Sequence, residues 1–212
     1  MLDNKDFDLW ADRYDKSVNI SEENDEYPFA GYKKVLNFIY SQVRKKSRAH
    51  VLDIGFGTGV LTTQLYNEGC SITGIDFSQN MIDIAKQKMP DAIFIRYDFS
   101  KGVPKEIKNK KFDYIISTYA IHHLTDEQKI EFIKSIFNLL KENGQILIGD
   151  VSFENRNQLE SCKEKYEQYW DEDETYFIGE EIRGAFSDEY RCEYVKISHC
   201  SGVFTIEDVR IH

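Results

Sequence analysis

Residues Val51 to Gly59 read V-L-D-I-G-F-G-T-G, and this stretch limits the fold more than any other part of the chain. An apolar strand carrying one acid runs directly into glycines at alternate positions, Gly55, Gly57 and Gly59. A turn this dense in glycine brings bare backbone against a ligand or adopts positive φ, both of which a Cβ would oppose. The next apolar run ends Gly74-Ile75-Asp76-Phe77-Ser78, which sets a carboxylate beside that turn. A strand, a glycine turn, a helix and a second strand closing on an acid form the nucleotide-binding half of doubly wound α/β domains.

Apolar runs alternate with helical periodicity from residue 27 to 150, the pattern of βαβ units on a parallel sheet. Tyr32, Val35, Leu36, Ile39, Tyr40 and Val43 fall at helical spacing before a first strand at about Ala49 to Ile54. A helix opens near Thr58 and carries Leu61, Leu65 and Tyr66. Ser78 is an N-cap for the next helix, which carries Met81, Ile82, Ile84 and Ala85. Further strands are read at Ile93–Tyr97, Phe112–Ser117 and Gly144–Asp150. Thr125 to Gln128 is a capping box for a helix running to about Lys141, stopped by Asn143-Gly144. Residues 154 to 170 read as a long polar helix, with a short one around Glu180 to Phe186. Tyr190–His199 and Val203–Ile211 read as a hairpin joined by Cys200-Ser201-Gly202. The expectation is an α/β fold, a doubly wound, mostly parallel sheet with one antiparallel edge strand and helices on both faces.

With 212 residues and only three prolines, a single domain is expected. Its parts are N-terminal helices over 1–47, a nucleotide-binding core over 48–150, an insertion over 151–187 and a C-terminal hairpin over 188–212. The net charge of −10 argues against a nucleic-acid partner. The lysines at 101, 105, 108, 110 and 111 are read as a solvated loop. The four cysteines form no C-x-x-C pair and the five histidines show no ligand spacing, so reduced thiols and no metal are expected. No apolar run reaches the roughly 20 residues of a spanning helix, and the N-terminus is acidic rather than a signal peptide. The expectation is a cytoplasmic protein with no membrane partner, monomeric or homodimeric.

Two cofactor readings compete at the turn. The dinucleotide fingerprint G-x-G-x-x-G with an acid about 20 residues on fits Asp76 but not the glycines, because Val60 occupies the last position. The spacing G-x-G-x-G, preceded by Asp53, resembles motif I of class I S-adenosylmethionine-dependent methyltransferases. Four further segments in that family's order carry the resemblance. They are Asp76 closing the second strand, Asp98-Phe99 after the third, Thr118 to Leu124 after the fourth, and the Gly144–Asp150 strand. The likeness spans roughly residues 7 to 211, and the opening Trp10 to Asp15 adds a similarity to small uncharacterised bacterial methyltransferases.

The resemblance implies a seven-stranded sheet and S-adenosylmethionine as cofactor. Gly55, Gly57 and Gly59 then cradle its methionine part and sugar. Asp53 orients the ammonium group or braces the loop, and Asp76 takes both ribose hydroxyls. Asp98 lies near the adenine amino group, and Phe77, Tyr97 and Phe99 flank the ring or simply build core. Tyr119, Ala120, His122 and His123 fall on the segment lining the methyl-transfer site. His122, His123 and Tyr14 are the candidate catalytic groups, with the histidines equally readable as packing residues. Trp10 and Tyr14 share a helix face with Phe7 that serves as a lid on the cofactor or packs on the sheet edge. The Tyr166–Phe177 segment, aromatic and acidic, falls where the family inserts substrate recognition, and is read either as suited to a cationic or amine-bearing substrate or as an acidic solvated loop. The implied activity is methyl transfer to a small-molecule acceptor. The alternatives are an NAD-dependent oxidoreductase, for which only about 60 residues remain after residue 150, and a non-catalytic nucleotide sensor.

Overall fold

The computed structural model of the protein describes residues 26–186 and 190–208. The elements run α1 (Tyr32–Val43), β1 (His50–Ile54), α2 (Val60–Asn67), β2 (Ser71–Asp76), α3 (Gln79–Lys88), β3 (Ile93–Arg96), β4 (Phe112–Thr118) and α4 (Asp126–Phe137). They continue with β5 (Leu140–Phe153), α5 (Arg156–Lys165), β6 (Phe177–Ile178), α6 (Gly179–Phe186), β7 (Tyr190–Lys196) and β8 (Ser201–Asp208). The sheet order is β3-β2-β1-β4-β5-β8-β7, with the short β6 alongside the end of β5. Strands β1 to β5 are mutually parallel. The expected antiparallel pairing lies at the far edge, where β8 runs against both β5 and β7.

Alternation along the strands sorts the core into two layers. Val51, Tyr114, Ile116, Leu147 and Val203 pack with Val35 and Ile39 of α1, Leu65 of α2 and Ile82 of α3. Leu52, Ile54, Ile115, Ile146 and Phe204 face the other way, against Ile133 and Phe137 of α4 and Phe186 of α6. A strand buried on both faces reads as a continuous apolar run, which explains V-L-D-I and Y-I-I in this sequence. The chain winds from β1 outward to β3, then crosses back to β4 and β5. The carboxyl ends of β1 and β4 therefore diverge, and such a switch point leaves a crevice between its loops.

The helix caps follow the sequence. Ser78 accepts from Met81 N, and Thr125 and Gln128 complete a capping box on α4. Three boundaries differ. Helix α4 stops at Phe137 rather than near Lys141, because Leu140 already pairs with Phe112. Asn143, at φ 59, sits in a register break where the partners jump from Phe112/Leu140 to Tyr114/Gln145. The Asn-Gly pair therefore bends a strand instead of ending a helix. Gly202 lies within β8 and not in the hairpin turn, since a Cβ there would fall 2.4 Å from the Tyr194 ring. The polar helix expected over 154–170 is α5, followed by a single turn at Glu167–Tyr169. Among the described residues, no helix is long and apolar enough to cross a membrane.

Candidate functional site

A cavity of about 700 Å³ opens at the carboxyl ends of β1, β2 and β4. One wall is the glycine turn. Gly55, Gly57 and Gly59 all have positive φ, at 68°, 56° and 72°. Each serves differently. A Cβ on Gly55 would stand 2.4 Å from the Ala120 Cβ, so this glycine lets the β1 and β4 loops touch. Gly57 faces open space on the cavity wall. Gly59 is the residue before α2, where a Cβ would press on the Met89 methyl at 2.9 Å; it shapes the helix entry.

Two buried carboxylates back this turn. Asp76 accepts from Gly57 N through Oδ2 and from Ser78 N through Oδ1, both at 2.9 Å. A carboxylate oxygen can accept more than one hydrogen bond, so bracing the loop is compatible with accepting from a ligand. Asp53 accepts from the Thr62 hydroxyl through Oδ2 at 3.0 Å, while its Oδ1 is buried without a hydrogen-bond partner. Burial, supplemented by the charge of Asp76 and only partly offset by Thr62, pushes the Asp53 carboxyl up to about 7. A buried acceptor without a partner, on a residue that lines the cavity, fits a cationic ligand group. Phe77 and Phe99 also line this end. Asp98 does not belong to the lining. Its carboxylate accepts from Ser100 N and Oγ and pairs with Lys101, capping the turn at Phe99–Lys101. Tyr97 likewise lies outside the cavity, its hydroxyl donating to Lys101 O.

The opposite wall is made of side chains. The His122 ring is fixed on two sides: Nδ1 lies 2.6 Å from Asp150 Oδ1 and Nε2 lies 3.4 Å from Glu174 Oε1. Asp150 is fully buried and also accepts from the backbone N–H of His122 and Val151. Burial alone would depress the imidazole, but the Asp150 and Glu174 carboxylates outweigh it and raise His122 to about 10. Burial and the neighbouring His122 charge hold His123 down at about 4, so it stays neutral. Burial would raise Glu174 too, yet His122 and the Tyr176 hydroxyl bring it down to about 2. A backbone bond from Thr175 N to His122 O at 2.9 Å locks the acidic segment across the histidine turn. The buried Lys129 ammonium donates to Thr175 O from below.

Aromatic rings close this half. Trp170 stacks on Tyr27 at 5.2 Å, and Tyr176 meets Trp170 edge-on at 5.0 Å. Tyr119 packs against Phe29 and Tyr32, at φ 51 directly after β4. Of the aromatic and acidic segment, Tyr166, Tyr169, Asp171 and Glu174 line the cavity. Glu172 instead pairs with Lys163 outside it, and Phe177 is buried in the core under Lys129. Sequence reasoning missed Tyr27, Phe29 and the role of Asp150. Nothing local flags a carboxylate near the end of an apolar strand as the partner of a histidine 28 residues earlier. Trp10, Tyr14 and Phe7 lie outside the described residues.

Residues 45–189 match the methyltransferase domain family. An uncharacterized methyltransferase of Oceanobacillus iheyensis is 36% identical over 187 residues, covering 85% of this chain and 84% of the relative. One from Geobacillus sp. is 37% identical over 159 residues, covering 75% and 72%. Among solved structures, a DhpI-SAH complex superposes with a TM-score of 0.72 at 16% identity, over 97% of this chain and 94% of that one. That last likeness shows the fold. The family match and the two relatives replace the oxidoreductase and sensor readings, and the chain belongs to the methyltransferase domain family.

Proposed function

We propose that this enzyme transfers a methyl group from S-adenosylmethionine to a small, cationic or amine-bearing acceptor. The observation that carries the reading is the unsatisfied Asp53 Oδ1, set beside Asp76 on a glycine-walled cavity that continues to His122 and Glu174. When bound, the cofactor supplies an electrophilic methyl group on a sulfonium. Asp53 would accept from its ammonium and Asp76 from its ribose hydroxyls, at about 1.5–3 kcal/mol for each charge-assisted bond. Gly57 keeps the approach to backbone open, Gly55 lets the β4 loop close beside it, and Phe77 and Phe99 offer apolar faces to the base. Trp10 and Tyr14, outside the described residues, complete the proposed set.

Because the methyl carrier is already activated, the protein's work is to hold the acceptor in line and keep water out. The aromatic wall of Tyr27, Phe29, Tyr32 and Tyr166 supports both tasks, and Glu26, Asp171 and Glu174 give that wall a negative field. Residues 151–187 are thus the acceptor-recognition part of a single methyltransferase domain. His122, held between the Asp150 and Glu174 carboxylates, positions this segment, and both it and His123 line the cavity.

The test is release of S-adenosylhomocysteine over a panel of amines, thiols, hydroxy compounds and carboxylic acids. Turnover with amines or other cations is expected. Turnover confined to anionic acceptors would contradict the acceptor class. Calorimetry showing affinity for NAD and none for S-adenosylhomocysteine would contradict the cofactor.

A further inference from the structure

We infer that His122, His123 and Glu174 form a binding site for a divalent transition-metal ion of the zinc class. One ligand atom from each of the three lies within 4.8 Å of the others. His122 Nε2 and Glu174 Oε1 are 3.4 Å apart. Zinc bonds of about 2.0–2.1 Å place neighbouring tetrahedral donors about 3.3–3.4 Å apart, so this pair already has the required separation. The His122 and His123 rings are 4.3 Å apart between centroids. The His123 edges, within 4.8 Å, shorten when an ion draws the three donors together.

The surroundings are those of a built site. Metal-bound imidazoles characteristically donate their other nitrogen to a carboxylate, which fixes the tautomer and aims the free nitrogen. Here Asp150 receives Nδ1 at 2.6 Å, is itself fully buried, and is held by two backbone N–H donors. Glu174 is fixed as firmly. Tyr176 donates to its Oε2 at 2.7 Å, leaving Oε1 toward the histidines, and Thr175 is tied to His122 O and Lys129. Two imidazoles and one carboxylate suit zinc, cobalt or iron, whereas magnesium and calcium call for oxygen donors.

A proton on His122 Nε2 satisfies Glu174 when no ion is bound; a divalent ion displaces that proton and takes the two atoms together with His123. Both His123 and Glu174 line the cavity, so a fourth position faces the acceptor space. A metal there would draw an acceptor's oxygen, nitrogen or sulfur. That consequence rests on the methyl-transfer reading, while the site itself does not.

The experiment uses the full chain, stripped with chelator, titrated with Zn²⁺ by calorimetry and with Co²⁺ by visible absorption. One ion per chain is expected, with a cobalt spectrum free of thiolate charge-transfer bands. His123→Ala and Glu174→Gln should each weaken binding by about tenfold or more, and Asp150→Asn by about 10–100-fold. Cys192→Ser should change nothing. Each variant is titrated with S-adenosylhomocysteine and melted in parallel, so that misfolded protein is recognised. If Glu174→Gln does not fold, His123→Ala carries the decision. Absent binding, thiolate bands, or binding indifferent to His123→Ala would overturn the site. A chain that binds cobalt but not S-adenosylhomocysteine would contradict the proposed function and leave the metal site standing.

Discussion

The cavity wall beneath β1 and β2 is made of backbone, glycine and two buried carboxylates, whereas the wall beyond β4 and β5 is made of side chains from four separate stretches. The first wall is local. Asp53, Gly55, Gly57 and Asp76 lie within 24 residues, and hydrogen bonds among them fix the loop before any ligand arrives. The second wall depends on tertiary assembly: Tyr27, His122, Asp150 and Glu174 meet only once the sheet has formed. A ligand shared by many enzymes can be held by a rigid, contiguous device. A ligand particular to one enzyme is held by groups that can change one at a time.

The contrast can be broken most severely at Gly55. Gly55→Val adds a side chain where the first carbon already overlaps Ala120, at a φ that branched residues avoid. We expect S-adenosylhomocysteine binding to vanish in calorimetry and the fold to lose about 2–4 kcal/mol in denaturant melts. Asp76→Ala comes next. Cofactor affinity should fall by about tenfold or more, since one charge-assisted bond alone is worth that much. The fold should weaken as well, by about 1–3 kcal/mol, because Gly57 N and Ser78 N lose their acceptor.

On the other wall, Glu174→Gln should lower the melting temperature while leaving S-adenosylhomocysteine affinity within about twofold, as expected of separated sites. A larger loss of affinity would show that the walls are not independent. The smallest effect is a pH dependence confined to Asp53. Burial holds this carboxyl at about 7, above its unfolded value of roughly 4, so the folded chain binds the extra proton between those values. That contribution to stability is therefore greatest at low pH and declines as pH rises from about 4 to 7. An incoming ammonium needs the carboxylate form. S-adenosylhomocysteine affinity should accordingly rise as pH passes about 7, and Asp53→Asn should flatten the profile in titrations between about pH 6 and 8.

What could be read from the chain follows the same division. The glycine turn, the acid closing β2, the Thr125–Gln128 cap and the alternation of strands and helices in the core were legible, because each is a short-range signal with a backbone cause. Asp98 shows the limit of such reading. An acid at a strand end can bind a ligand or cap the next turn, and only geometry reveals that Ser100 and Lys101 occupy it. The His122–His123 pair was visible, but its partners were not. Asp150 sits inside an apolar strand, and Glu174 is one of several acids in an acidic segment. Gly202 resembled a turn residue, and only the Tyr194 ring lying over it accounts for its place in β8.

The most direct test is a crystal structure of the protein with S-adenosylhomocysteine. The account predicts the ligand's ammonium on Asp53 Oδ1, its ribose hydroxyls on Asp76, and its sulfur pointing toward the space before His123 and Glu174. Density for the ligand elsewhere, or a ribose held by groups other than Asp76, would contradict it.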